Sequence, residues 1–189
     1  CSSDLETALF SDGTDQEESN EETQEVQVTV SVSKDGKFLN DKDGNPMAGR
    51  SITLTGKNTY NMDDALKLAH DLYYPGGAEA GYDYHEDENG IYDGIIYKLW
   101  GYNKNDVPNI KSILNHDTRN LGSALSRTVQ NGDELHFFIQ AQNGKDKFAF
   151  FTETEATYTQ GQEITLKLRQ RNDFGGCFSN CTGASIYIN

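Results

Sequence analysis

Residues 25–33 read Glu-Val-Gln-Val-Thr-Val-Ser-Val-Ser, and this stretch decides the fold. A valine stands at every even position from 26 to 32, and a polar residue stands between each pair of valines. Successive side chains of an extended chain point to opposite sides, so one side of this segment is apolar and the other polar. The pattern predicts a half-buried β-strand, and Lys34-Asp35-Gly36 predicts a turn after it.

One helix is predicted at about residues 61–74. Asn61 is a good N-cap, and Asp63 and Asp64 place acids in the first turn, where the helix dipole favours them. Pro75-Gly76-Gly77 ends the helix. Apolar side chains recur at helical spacing at Met62, Ala65, Leu66, Ala69, Leu72 and Tyr73.

Shorter apolar or alternating stretches predict the other strands. These are residues 52–54, 91–100, 110–114, 135–141, 148–151, 164–168 and 184–188. We expect Ile95, Tyr97 and Leu99 on one face of their strand, and His136 on a wet face opposite Phe137. The fold class is therefore α+β: β-rich, with an antiparallel-dominated sheet that has one covered face, packed on one main helix.

Charge is distributed unevenly along the 189 residues. The net charge is −14, and residues 1–25 contain nine acids and neither Lys nor Arg. Such a chain repels phosphate backbones and anionic membrane surfaces, so nucleic acid is excluded as a partner. We interpret residues 1–25 as an acidic tether or arm, 26–175 as a β-rich surface domain, and 176–189 as a Cys- and Gly-rich tail strand that can begin a further module.

The three cysteines predict an exported protein. Cys1, followed by two serines and an acidic run, is typical of a mature bacterial lipoprotein with a lipidated first residue. The membrane would then be touched only through that lipid, and the protein would lie at the extracellular cell surface. The alternative is an unmodified Cys1. Cys177 and Cys181 can close a small disulfide loop, which an oxidising location favours.

An acidic loop after the helix is a candidate metal site. Its oxygen donors are Asp83, Asp87, Asn89 and Asp93, and calcium is the cofactor that such ligands would hold. The twelve-residue spacing of an EF-hand is absent, so a solvated turn without any cofactor is the alternative interpretation.

Aromatic residues around the helix end and this loop form a candidate contact surface. They are Tyr73, Tyr74, Tyr82, Tyr84, Tyr92 and Trp100. Aromatic rings with a polar group bind glycans, peptides or planar ligands. The alternative is that Tyr97 and Trp100 belong to the core and the other rings cover it.

No catalytic residue is predicted. The chain carries no nucleophile elbow, P-loop, dinucleotide fingerprint or zinc-protease motif. The histidines, His70, His85, His116 and His136, are scattered, and we interpret His70 as a helix-end or surface residue whose partial charge suits the helix dipole. The protein is therefore predicted not to be an enzyme.

Several runs resemble the transcobalamin-C-terminal-like domain of unknown function, found in exported surface proteins of anaerobic Gram-positive bacteria. The most specific run is Asp63–Ala78 with its Pro-Gly-Gly end. The others are residues 45–47, 51–55, 98–101, 130–135, 156–158, 161–166 and 181–186. The resemblance covers roughly residues 26–189. It implies a β-grasp-like fold and tandem arrangement with other surface modules, and in vertebrate relatives such a domain packs against a corrinoid.

Three functions follow from these patterns. The leading one is a non-catalytic binding or assembly module of an exported protein, such as a filament or adhesion subunit that contacts other subunits through its arm or tail strand. The alternatives are a corrinoid-like small-ligand receptor and a calcium-stabilised module that binds carbohydrate or peptide.

Overall fold

The computed structural model describes residues 23–85, 94–117, 125–140, 148–151, 157, 159–163, 165–171 and 179–181. Cys1, Cys177, Tyr92, Asp87, Asn89, Asp93 and the predicted strand 184–188 lie outside these ranges, as does the arm up to residue 22. The described strands are β1 (Gln24–Lys34), β2 (Lys37–Phe38), β3 (Arg50–Lys57), β4 (Tyr60–Asn61), β5 (Asp83–His85), β6 (Ile95–Leu99), β7 (Tyr102–Asn103), β8 (Ile110–Leu114), β9 (Thr128–Val129), β10 (Glu134–Ile139), β11 (Phe148–Phe151), β12 (Leu168–Arg171) and β13 (Ser179–Asn180). The helices are α1 (Met62–Tyr73) and α2 (Gly77–Gly81).

The main sheet is built around β1, which confirms the strand predicted from the alternating valines. β1 pairs antiparallel with β3 and β2, and β10 pairs antiparallel with β8. The pairing of β1 with β10 is parallel, with Val30 opposite Leu135 and Val32 opposite Phe137. The even-numbered valines of β1 are all buried, so this side of the sheet faces the core.

Helix α1 confirms the predicted helix to within one residue at each end. Its N-terminus is a reciprocal capping box: Asp64 N–H donates to Asn61 Oδ1 (2.9 Å), and Asn61 N–H donates to the Asp64 carboxylate (3.1 Å). Its apolar face shares one hydrophobic cluster with the valines of β1. A second short helix, α2, follows, and the prediction of a single helix missed it.

Two strand predictions need correction. In β6 the buried residues are Ile96 and Leu99, whereas Tyr97 is 40% exposed, so the expected grouping of Ile95, Tyr97 and Leu99 does not match their burial, and Tyr97 is not a core residue. Pairing with β5 and β7 sets the orientation of β6, and this information is absent from its local pattern. The strand predicted at 164–168 begins only at Leu168, which lies opposite Phe151 of β11.

Two described strands lie partly or wholly in the segments interpreted as the arm and the tail. β1 begins at Gln24, inside the segment assigned to the arm, and β13 lies inside the segment assigned to the tail. β13 pairs with β12, so the tail contributes a strand to a sheet with β11 and β12. Neither described helix is long or apolar enough to cross a bilayer.

The second face of the main sheet is partly covered, contrary to the expectation of a wet face. His136 does point away from the core side that holds Leu135 and Phe137, and its neighbour across the strands on the same face is Ile113. Ile113 is fully buried although it is not part of the main core cluster. The phenylalanines of β11 lie over this region, so residues of β8 and β10 that were expected in water face a second apolar layer.

Candidate functional site

A cleft of about 470 Å³ lies between the second face of the main sheet and β11. We call it the phenylalanine cleft. Its lining residues are Ser31, Ser33, Gly36, Phe38, His116, His136, Phe137, Phe138, Ile139, Phe148, Ala149, Phe150 and Phe151. The volume lies in the range of small-molecule sites, and the lining is apolar with a few polar groups, as such sites usually are.

Aromatic rings form one wall of the cleft and reach the histidines. Phe150 stacks on His116, with ring centroids 4.6 Å apart and an interplanar angle of 14°. Phe148 contacts His136 edge to face, with centroids 5.3 Å apart. Phe38, at the cleft, keeps 51% of its surface exposed. The cleft therefore offers ring faces to an occupant and carries two imidazoles in its lining.

Three ligand-type side chains meet in the cleft region. His116 Nε2 lies 3.0 Å from Glu134 Oε2, and His136 Nε2 lies 3.8 Å from the same oxygen. The ligand atoms of all three residues are within 4.8 Å of one another. We call this group the His–Glu–His cluster; Glu134 and His136 come from alternate positions of β10, so both project from the same face.

Asn115 fixes the position of His116 relative to β10. Its amide donates to Asp133 Oδ1 (2.6 Å), and its Oδ1 accepts the backbone N–H of Glu134 (2.8 Å). These bonds tie the turn after β8 to the start of β10. Asn115 and His116 both have left-handed backbone conformations, with φ of 49° and 59°. Such a conformation is uncommon for a residue other than glycine and persists where the surrounding structure holds it.

His136 is neutral at physiological pH. Burial, with a smaller contribution from nearby His116, lowers the pKa of His136 to about 4. Its Nε2 atom is buried and has no hydrogen-bond partner within the described part of the chain. A buried, unpaired polar atom costs roughly 1–3 kcal/mol, so this nitrogen is available for a further interaction.

The predicted contact surface proves to be partly a packed interior. Trp100 is only 6% exposed, and its Nε1–H donates to the carbonyl of Asn40 (2.8 Å). Trp100 is therefore a core residue and not a contact residue, which corrects that assignment. Tyr73, Tyr74, Tyr82 and Tyr84 are half-buried and pack against the core.

His70 lies in the last turn of α1, as predicted, but it is in the interior, so the expectation of a surface residue with a partial charge was wrong. It is fully buried, with ring centroids 4.6 Å from Trp100 and 5.1 Å from Tyr82. Its Nδ1 bonds to the Leu66 carbonyl (2.8 Å) and its Nε2 accepts the backbone N–H of Trp100 (3.1 Å). Burial lowers the pKa of His70 to about 4, so it carries no charge at the helix end at neutral pH.

A second groove, of about 470 Å³, contains part of the predicted calcium site. It is lined by Asp63, Lys67, Asp71, Ala78, Glu79, Tyr82, Asp83 and Tyr84. The Tyr82 hydroxyl donates to Asp63 Oδ1, and burial together with Asp63 raises the pKa of that hydroxyl. Asp83 lies 2.9 Å from His85 Nε2. The other predicted ligands, Asp87, Asn89 and Asp93, lie outside the described residues.

The cysteine predictions stay untested by the described residues. Cys181 is half-buried and is bonded to no other cysteine among the described residues, and its backbone N–H donates to the Leu168 carbonyl (2.9 Å). Its predicted partner Cys177, and Cys1, lie outside the described ranges.

Sequence reasoning missed the His–Glu–His cluster because its members are far apart in the chain. His116 and His136 are separated by 20 positions and form no short motif. They meet because β8 pairs antiparallel with β10, with Ile113 opposite His136 and Leu114 opposite Leu135. The residues that follow Leu114 therefore lie beside Glu134, at the start of β10. A predicted pairing of these two strands would have been the signal that brings the residues together.

No protein-family model matches the chain, and no curated protein or solved structure matches it significantly.

Proposed function

We propose that this domain is a non-catalytic binding module that holds a compact, largely apolar ligand with a flat ring in the phenylalanine cleft. One observation carries the proposal: a cleft of about 470 Å³ is walled by aromatic rings and has imidazole and hydroxyl groups at few positions. Rings bind flat ligands by offset stacking and edge contacts, and scattered polar groups orient them. Of the functions considered from the sequence, small-ligand binding has the most support from this geometry.

The absence of turnover is part of the proposal. The hydroxyl groups in the described cleft lining belong to Ser31 and Ser33. Ser31 Oγ accepts the backbone N–H of Gly49 (2.8 Å), which ties this side chain into the scaffold. A serine nucleophile is normally activated by a hydrogen bond to a general base. We therefore assign the serines to the lining and not to chemistry.

The biological setting and the finer fold are also proposals. We propose an exported, cell-surface setting, supported by the acid-rich residues 1–25 and the cysteine pattern. We propose a β-grasp-like arrangement, supported by the shared cluster of α1 and β1 side chains and by the mixed main sheet. Assembly with other subunits through the arm or the tail strand is a hypothesis from the sequence.

The test uses the neutral fluorescent probe N-phenyl-1-naphthylamine, which avoids repulsion by the acidic chain. Ser33→Phe adds a ring to the cleft lining, whereas Thr53→Phe adds the same ring to the same sheet face at an exposed position opposite Gln27. We expect saturable probe binding in the wild type, at least tenfold weaker binding in Ser33→Phe, and unchanged binding in Thr53→Phe. Equal affinities in the three proteins, or no saturable binding, would refute the cleft as a ligand site.

A further inference from the structure

We propose that His116, Glu134 and His136 bind one Zn²⁺ ion, or a divalent transition metal of similar chemistry. The ligand atoms of these residues already lie within 4.8 Å of one another. Two imidazoles and one carboxylate form a donor set that zinc sites use with three protein ligands. This inference does not depend on the ligand-binding role proposed for the cleft.

The two distances from Glu134 to the imidazoles are close to those around a tetrahedral ion. With bonds of about 2.0–2.1 Å, neighbouring donor atoms of a tetrahedral zinc site are separated by about 3.3 Å. The Glu134 Oε2 atom lies 3.0 Å from His116 Nε2 and 3.8 Å from His136 Nε2, so the two distances lie on either side of that value. A shift of well under an ångström in the flexible glutamate would bring its oxygen to that separation from both nitrogens. The two imidazole nitrogens lie within 4.8 Å of each other, so the histidine rings would approach each other by up to about 1.5 Å.

The unpaired nitrogen of His136 distinguishes the cluster from an ordinary ion pair. Glu134 is within hydrogen-bond distance of His116, whereas the buried His136 Nε2 lies 3.8 Å from the same carboxylate and has no partner within hydrogen-bond distance among the described residues. A hydrogen bond between Glu134 and His116 therefore leaves one polar atom unsatisfied, whereas a metal ion would satisfy all three groups. Imidazole nitrogens favour zinc, copper or nickel over calcium, which takes six to eight oxygens.

The surroundings hold the ligands in place. Asn115 Oδ1 accepts the Glu134 backbone N–H, and the left-handed turn at Asn115 and His116 directs the chain back toward β10. Phe150 stacks on His116, and Phe148 contacts His136, so ring orientations are restricted and water is partly excluded. Supporting contacts of this kind commonly change metal affinity by tenfold to a hundredfold.

Three protein ligands leave one coordination position open. Both histidines line the phenylalanine cleft, so the open position would face that cleft. A donor atom on a cleft ligand could then complete the metal's coordination. This last step rests on the proposed function, unlike the metal site itself.

The experiment is a titration of the chelator-treated full chain with Zn²⁺ by calorimetry, and with Co²⁺ by visible absorption. The site variants are His136→Gln and Glu134→Gln. The matched control is His85→Gln, because His85 also pairs with a carboxylate (Asp83, 2.9 Å) but belongs to no three-ligand group among the described residues. We expect one Zn²⁺ per chain with micromolar or tighter affinity, and the intense absorption of four-coordinate cobalt. Each site variant should bind at least tenfold more weakly, and His85→Gln should match the wild type.

Three results would overturn the metal site. They are the absence of binding below about 100 μM Zn²⁺, equal affinity in His136→Gln and the wild type, and a cobalt–thiolate charge-transfer band that assigns the metal to cysteine. If the site variants unfold, the folded wild type gives the answer by NMR, since zinc must then shift the ring signals of His116 and His136 and leave that of His85 unchanged. If the wild type binds the naphthylamine probe but not zinc, the metal site is rejected and the proposed function is unaffected. If the wild type binds zinc but not the probe, the proposed function is rejected and the metal site is unaffected.

Discussion

Acidification should destabilise this protein through His70. The buried ring donates from Nδ1 to the Leu66 carbonyl and accepts the Trp100 backbone N–H at Nε2, an arrangement that only the neutral imidazole can make. A proton added to Nε2 would break the bond to Trp100 and place a charge in the interior. Lowering the pH therefore favours the unfolded chain, in which the ring takes up a proton freely.

The size of the effect follows from the two pKa values. Burial lowers the folded-state pKa of His70 to about 4, whereas an unfolded histidine titrates near 6.5. A depressed folded pKa means that this contribution to stability is complete above pH 6.5 and is lost as the pH falls from 6.5 to 4. Linkage gives a loss of about 2 kcal/mol at pH 5 and about 3 kcal/mol at pH 4.

Urea unfolding at pH 7.5, 6 and 5 measures this loss, with the fluorescence of Trp100, the single tryptophan, as the signal. The half-buried His136 has the same direction of pKa shift, so the wild type alone would mix the two residues. The comparison with His70→Gln isolates His70, because every other titrating group is common to both proteins. We expect the wild type to lose about 2 kcal/mol more than the variant between pH 7.5 and pH 5. Identical losses would show that His70 does not titrate as its burial requires.

Three substitutions test other contacts by the same urea titration. Asn61→Ala removes the α1 cap and should lower the unfolding free energy by about 1 kcal/mol. Asn61→Ser keeps a capping side chain and should lower it much less. Equal losses of unfolding free energy in the two variants would contradict the capping role. Gly81→Ala adds a Cβ that overlaps the Tyr74 ring and should cost about 1–3 kcal/mol. The same change should cost much less in a Tyr74→Ala background, which removes the overlapping ring atoms, and an undiminished cost there would contradict the overlap. Asn115→Ala removes the hydrogen bond to the Glu134 N–H and should lower the unfolding free energy by about 1 kcal/mol. In a zinc titration the same variant should bind the ion about tenfold more weakly. Unchanged zinc affinity would show that the turn does not position the ligands.

The local sequence pattern predicted the structure correctly where the residues of one segment alone determine its environment. The β1 valines and most of the α1 face were predicted correctly because hydrophobic period and capping residues act within a dozen residues. The exception on α1 is Leu72, which was predicted on the apolar face and is 42% exposed. In β6 the same reasoning grouped Ile95, Tyr97 and Leu99 on one face, whereas the buried pair is Ile96 and Leu99, which are three positions apart. Pairing with β5 and β7 overrides the local alternation there.

The candidate site could not be predicted from local sequence patterns, because it depends on contacts between distant segments. The histidines looked scattered in the sequence, and His136 was expected in water because its neighbours alternate between apolar and polar. The coverage by β11 and the antiparallel pairing of β8 with β10 both come from contacts between distant segments. Burial of His70 against Trp100, thirty positions away, has the same origin.

The sequence by itself determined the β-rich class, the central strand, the main helix with its cap, and the acidic character of the chain, because each depends on residues that are neighbours along the backbone. Only the tertiary structure decided which histidines are buried, which share a carboxylate, and where the aromatic rings leave a cleft. Those properties depend on strand register and on the second layer over the sheet, and a shift of one residue in register would send His136 and Glu134 to the opposite face.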